Sequence, residues 1–160
     1  MAPIDTVGPM NALALLRADH RKIKKLLAKG ESTTERAKKT RAELYGELKE
    51  LLTVHERIEE EVLYPALKGH PKARELALEG YEEHHVVDLV LEELDATPVS
   101  SEKWAARFKV TKENVEHHIE EEEGTMFPAT RRAFERADLE RMGARMEEIR
   151  SLARQVERSS

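Results

Sequence analysis

Seven side chains in this sequence are of kinds that hold metal ions and stand at spacings that can bring them together: His20, His55, Glu59, His84, Asp88, His118 and Glu122. The pattern is anchored by a stretch that occurs twice. His55-Glu56-Arg57-Ile58-Glu59-Glu60-Glu61-Val62-Leu63-Tyr64-Pro65 has its counterpart in His118-Ile119-Glu120-Glu121-Glu122-Glu123-Gly124-Thr125-Met126-Phe127-Pro128. In each, Glu follows His by four residues and an aromatic-Pro pair closes the segment at positions nine and ten. A helix turns about 100° per residue, so the His and the Glu stand one above the other on a single face, where they can hold one metal ion or two adjacent ones. A lone HxxxE in so acidic a chain is ordinarily a solvated face. The register raises its meaning: the shift between halves is 64 residues for His20 to His84 and 63 for His55 to His118, Glu59 to Glu122 and Pro65 to Pro128. Four offsets held so closely mark an internal repeat.

The elements that must position these residues read as helices. Of 160 residues, 37% are charged, 39% apolar and only 4% aromatic, which suits amphipathic helices and suits a sheet badly. After a flexible arm over 1–10, a first helix near 11–29 carries Leu13, Leu16, His20, Ile23 and Leu27 on one stripe, with Gly30 expected to end it. Ser32, Thr33 and Thr34 offer caps for a long second helix whose inward face reads Leu44, Leu48, Leu51, His55, Glu59 and Val62, and Pro65 should kink or tighten its last turns. The third, about 72–95, runs Ala77, Tyr81, His84, Val87/Asp88, Leu91 and Leu94. Of its two adjacent histidines, His84 is the inward one, because Val87, Val90 and Leu91 follow it as Ile23, Leu26 and Leu27 follow His20. A fourth helix, capped at Ser100 or Ser101, brings Phe108, Val115, His118, Glu122 and Met126 inward and leaves His117 outside. Asp138 caps a fifth, whose stripe from Leu139 to Val156 must pack on the bundle or on a partner subunit. The expected architecture is all-α: an up-down-up-down four-helix bundle over 11–136 with an additional C-terminal helix over 137–160.

Burying several carboxylates in such a bundle requires compensation. Unpaired, Glu59, Glu122 and Asp88 would cost on the order of 10 kcal/mol, comparable with the ~5–15 kcal/mol that holds a domain together. Positive charge must therefore sit among them. Near them the inward stripes supply histidines and aliphatics, with Lys24 the one basic residue sharing such a position, so a metal fits better than an ion pair. Imidazole and carboxylate ligands without sulfur suit iron, manganese or zinc, and so large a donor set exceeds what one four-coordinate zinc uses. The ferritin-like arrangement needs Glu-x-x-His on two helices and finds it once, as Glu82 to His85. There are no cysteines, which excludes disulfides, zinc ribbons and iron–sulfur clusters. A net charge of −5 with interspersed signs argues against nucleic acid as a partner, and the absence of a long apolar run against the membrane; the expected compartment is the cytoplasm.

At this point the residues resemble the hemerythrin-like, HHE cation-binding family: a His on the first helix, HxxxE on the second, His on the third, and His with a carboxylate on the fourth. The resemblance covers about His20 to Phe127. It implies two iron ions per chain and no heme, one iron held by His20 and His55, the other by His84 and His118, with Glu59, Glu122 and an oxo or hydroxo group between them. Where the oxygen-carrying members have a fifth histidine on the third helix, Asp88 stands, and a carboxylate there favours ferric iron over reversible carriage; Tyr81, one turn before His84, is a further candidate oxygen ligand. The implied ligands are dioxygen, hydrogen peroxide or nitric oxide. Catalase-like breakdown of peroxide or binding and reduction of dioxygen is the expected chemistry, in the setting of oxidative stress; sensing without turnover is the alternative, and the chain is expected to be a monomer or a homodimer.

Overall fold

The computed structural model describes residues 10–159. The arm expected over 1–10 lies, apart from Met10, outside the described residues.

Every described element is helical. α1 (Ala12–Glu31) starts where the Asn11 side chain accepts a hydrogen bond from the Ala14 N–H. Gly30 does not stop it as expected but lies inside its last turn, because Phe108 packs directly over the glycine where a Cβ would stand. Ser32 and Thr33 do not cap the next helix either: their hydroxyls donate back to the carbonyls of Lys29 and Gly30. α2 (Lys38–Ile58) runs on through a wider π turn (Glu59–Leu63) into α3 (Tyr64–Lys68). α4 (Arg74–Asp95) is the third long rod, and α5 (Glu102–Glu121), capped by the Ser101 hydroxyl, continues through a second π turn (Glu122–Met126) into α6 (Phe127–Ala133). α7 (Arg136–Ser159) opens with the Asp138 carboxylate accepting from the Glu135 N–H.

The two π turns fall at matching places in the repeat, and the prolines account for them. Pro65 and Pro128 lack an N–H, and in a regular helix the ring would collide with the carbonyl four residues back. One extra residue in the turn relieves both, and the Tyr64 and Phe127 N–H groups donate to the carbonyls of Glu59 and Glu122 five residues earlier. The turn also changes the facing. Nine residues of ordinary helix put Tyr64 about 180° from His55; absorbing one residue in the π turn swings the aromatic back toward the histidine's face.

The four rods form a four-helix bundle, α1 against α2 and α5, α4 against α5 and α3. Its hydrophobic interior is in two parts. One end packs Leu13, Leu16, Ile58, Leu63, Tyr64, Leu67 and Phe127; the other packs Ile23, Leu27, Leu48, Leu91, Trp104, Phe108 and Val115. The four inward histidines lie between these layers: His20 between Leu16 and Ile23, His55 between Leu52 and Ile58. α7 packs on this bundle rather than standing away from it, burying Leu139, Met146 and Ile149 against α1 and α2 and leaving Leu152 and Val156 exposed.

Candidate metal centre

Between the two apolar layers, ligand atoms of six buried residues converge in two overlapping sets. His20, His55, Glu59 and Glu122 form one, Glu59, His84, His118 and Glu122 the other, the atoms of each set lying within 4.8 Å of one another. Glu59 and Glu122 belong to both. Glu59 Oε1 lies 3.2 Å from His55 Nε2, 3.0 Å from His84 Nε2 and 3.8 Å from His118 Nε2, and Glu122 contacts His118 Nε2. All six are at least nine-tenths buried, yet His20 Nε2, His55 Nε2, His118 Nε2, Glu59 Oε2 and both Glu122 oxygens lack a hydrogen-bond partner. Buried polar atoms are seldom left so, since each costs about 1–3 kcal/mol. Imidazole and carboxylate donors left unpartnered this close together form a donor set suited to a first-row metal ion.

Three of the opposite nitrogens are held by second carboxylates, which give those imidazoles their direction, and a fourth carboxylate stands near the last. His20 Nδ1 lies 2.9 Å from Glu123 Oε2, His55 Nδ1 3.0 Å from Asp19 Oδ2 and His118 Nδ1 3.1 Å from Glu83 Oε1; His84 Nδ1 is 3.5 Å from Glu60 Oε2. These acids obey the repeat. Each histidine of the outer rods lends the residue before it to the neighbour: Asp19 serves His55, and Glu83 serves His118. The residue after each central glutamate does likewise, Glu60 toward His84 and Glu123 toward His20. An Nδ1–H donated to a carboxylate fixes the tautomer, leaves the Nε2 lone pair facing inward and raises its basicity. None of these four partners was legible in the sequence.

Comparison with known proteins agrees with this geometry. A model of the hemerythrin HHE cation binding domain matches residues 11–130. The chain belongs to this family. A crystal structure of a hemerythrin HHE cation binding domain-containing protein from Mycobacterium kansasii matches it with a TM-score of 0.75 and 34% identity, covering 88% of each chain. A DNA nickase of Nostoc sp. is 30% identical over 125 residues, which are 76% of this chain and 34% of that protein. The chain thus spans about a third of the length of this curated relative. It is a metal-binding, hemerythrin-like module.

Asp88, an expected ligand, and Tyr81, a further candidate, fall outside the two donor sets of this HHE domain. Asp88 is exposed, its carboxyl beside that of Glu56 on α2. The reason is helix phase: on α1 and α4 the position three after the histidine turns inward, as Ile23 and Val87 do, so position four, Lys24 or Asp88, falls outside. Tyr81 is half-buried and its hydroxyl donates to the Glu60 carbonyl at 3.4 Å. The phenol that reaches the centre is Tyr64, fully buried, its hydroxyl 3.2 Å from His84 Nε2. Its mate in the repeat, Phe127, stacks on His20 with no oxygen to offer, centroids 5.8 Å apart. The sequence signal was the aromatic-Pro pair itself, and what hid it was the extra residue of the π turn. Gly80 completes the cradle, because a Cβ there would lie 2.6 Å from Tyr64 Cζ and 2.8 Å from its hydroxyl. His85 and His117 are exposed.

Without metal, the hemerythrin centre has to balance its charges with protons. Burial opposes charge on Glu59, but His55 and the surrounding hydrogen bonds hold it well below the usual carboxylate range. Burial and the Glu59 charge beside it push Glu122 up to about 8. Burial disfavours charge on His55 too, but Glu59 and Asp19 outweigh it and lift that imidazole to about 10, whereas His20, buried next to it, falls to about 4. Burial and the surrounding carboxylates raise the Tyr64 phenol well above its ordinary value. Divalent ions would do the work these protons do, and their binding would release them.

Proposed function

We propose that this HHE domain is a non-heme di-iron protein that reacts with small oxygen species, by decomposing hydrogen peroxide in a catalase-like manner or by binding and reducing dioxygen. The observation that carries this reading is the pair of donor sets sharing Glu59 and Glu122, with two histidines apiece. His20 and His55 would hold one iron, His84 and His118 the other, and the two shared carboxylates would lie between them. Bound there, two irons supply two one-electron changes at one place, matching the two-electron steps between dioxygen, peroxide and water.

The protein's own contribution is placement. The outer carboxylates keep the imidazoles aimed and basic, and the leucine and aromatic layers on either side keep bulk water from the centre. The preference for turnover over reversible carriage now rests on Tyr64 instead of Asp88. Deprotonated on a bound iron, the Tyr64 oxygen beside His84 would be an anionic donor that favours the ferric state and disfavours release of intact dioxygen. It also makes the His84 side different from the His20 side.

A second reading, an iron, dioxygen or nitric oxide sensor without turnover, is favoured by one contact: Arg150 of α7 grips Asp19, which in turn holds His55. The cytoplasm is the proposed compartment; among the described residues no helix is long and apolar enough to cross a membrane. DNA nicking is not carried over from the cyanobacterial relative, two thirds of which lies beyond the matched region, and a net charge of −5 does not favour a nucleic-acid partner. The deciding experiment loads ferrous iron without air, counts iron per chain, and follows the visible spectrum and gas evolution on adding dioxygen or peroxide. Two irons per chain and loss of peroxide faster than with free iron are expected. One iron or none refutes the di-iron reading, and two irons with no reaction above free iron refutes turnover. Hydrogen exchange in α7 that responds to iron in a protein inert to peroxide would favour the sensor.

A further inference from the structure

One of the four histidines has a buried nitrogen that its outer carboxylate does not satisfy. His84 Nδ1 has no hydrogen-bond partner although the residue is 2% exposed, and Glu60 Oε2 stands off at 3.5 Å, whereas the other three Nδ1 atoms have carboxylate oxygens at 2.9, 3.0 and 3.1 Å. Close by lies a second acid, Glu56, buried to 7% exposure, and one ligand atom each of Glu56, Glu60 and His84 lie within 4.8 Å of one another. Exposed Asp88 stands beside Glu56 and continues the group to the surface. The other half of the repeat has nothing equivalent: the places of Glu56 and Asp88 are taken there by Ile119 and Lys24. Holding His84 in position needs one acid, as it does for the other three. Two further acids on this side alone call for another occupant.

We propose that Glu56, Glu60 and His84 Nδ1, with Asp88 at the mouth, form a third divalent-cation site through which metal enters the centre. Two or three carboxylates and one imidazole suit a ferrous or manganous ion exchanging with water. The shared ring dictates how the site works. A neutral imidazole has one lone pair, so while Nδ1 holds an outer ion, Nε2 keeps its hydrogen and donates it to Glu59 Oε1, 3.0 Å away. When Nε2 turns its lone pair to the centre, the hydrogen sits on Nδ1 and faces Glu60. The outer ion and the inner ion on His84 therefore exclude each other, and the outer site fills first and empties as the centre fills. This order of events rests on His84 being a ligand of the centre, as proposed above; the existence of the outer site does not.

Two measurements on the full chain test it. In the first, His55→Ala/His118→Ala disables the centre while sparing all four outer residues, and Mn²⁺ binding is counted by electron paramagnetic resonance. One Mn²⁺ per chain is expected, lost on adding Glu56→Gln. In the second, metal-free protein with its natural centre is mixed with Co²⁺ and the rise of its visible bands is followed. Glu56→Gln/Asp88→Asn should slow loading at least tenfold while the final number of ions per chain stays the same. The proposal is overturned if the disabled chain binds no Mn²⁺ or binds it equally well with Glu56→Gln. It is equally overturned if loading of the natural centre keeps its rate within twofold in the double variant. A natural chain that takes up one outer ion, loses it with Glu56→Gln and never fills the centre would refute the di-iron reading and leave the outer site standing.

Discussion

Replacing Glu122 by Gln should make the metal-free protein more stable and the metal-bound protein weaker, and the size of the first effect follows from the site. Glu122 is fully buried beside the charged Glu59, and its pKa is raised from 4.5 to about 8. A carboxyl whose folded pKa lies above its unfolded one binds more protons folded than unfolded, so it costs the fold nothing below pH 4.5, a growing amount up to about pH 8, and a constant amount beyond. At about 1.4 kcal/mol per pH unit, the cost is on the order of 3 kcal/mol at pH 7 and 5 kcal/mol above pH 8. Glutamine keeps the shape and removes the titration. Metal-free Glu122→Gln should accordingly melt only about 2–3 °C above the parent at pH 5, and roughly 6–12 °C above it at pH 7, taking about 2–4 °C per kcal/mol for a chain of this size. Metal affinity should fall by at least tenfold, because a neutral amide replaces a shared anionic donor. Thermal melts of both proteins, stripped of metal, at pH 5, 7 and 8 provide the measurement. A variant no more stable than the parent at pH 8, or a gain that does not grow between pH 5 and 8, would show that Glu122 is not the proton-holding member of the pair.

Two further outcomes are expected. Gly80→Ala should cost about 1–3 kcal/mol by overpacking against Tyr64 and should weaken any tyrosinate-to-iron band in the visible spectrum of the loaded protein, whereas Tyr64→Phe should remove that band at little cost in stability; an unchanged band in Tyr64→Phe would exclude contact between the phenol and the metal. Arg150→Gln should destabilise by about 3 kcal/mol in urea unfolding, because Asp19 is 1% exposed and loses a two-point grip at 2.9 and 2.6 Å, and a chelator should then withdraw one of the two ions faster; equal release of both would mean the grip stabilises the fold without reaching His55.

The sequence by itself determined what depends on phase within one helix. Four histidines on apolar stripes, the choice of His84 over His85 and the two His-to-Glu pairs are all relations between residues a few turns apart on a common axis, where about 100° per residue settles the facing. Only the tertiary structure decided what depends on how separate helices are rotated and offset. Glu123 reaches His20 across 103 positions and Arg150 reaches Asp19 across 131, and nothing in either local pattern announces the partner. Asp88 and Tyr64 show the same limit at closer range. A few tens of degrees of rotation put Val87 inside and Asp88 out, and one extra residue in a π turn brought Tyr64 rather than Tyr81 to the centre. A helix's own periodicity is a local property; the direction in which its edge residues point is set by the neighbours it packs against.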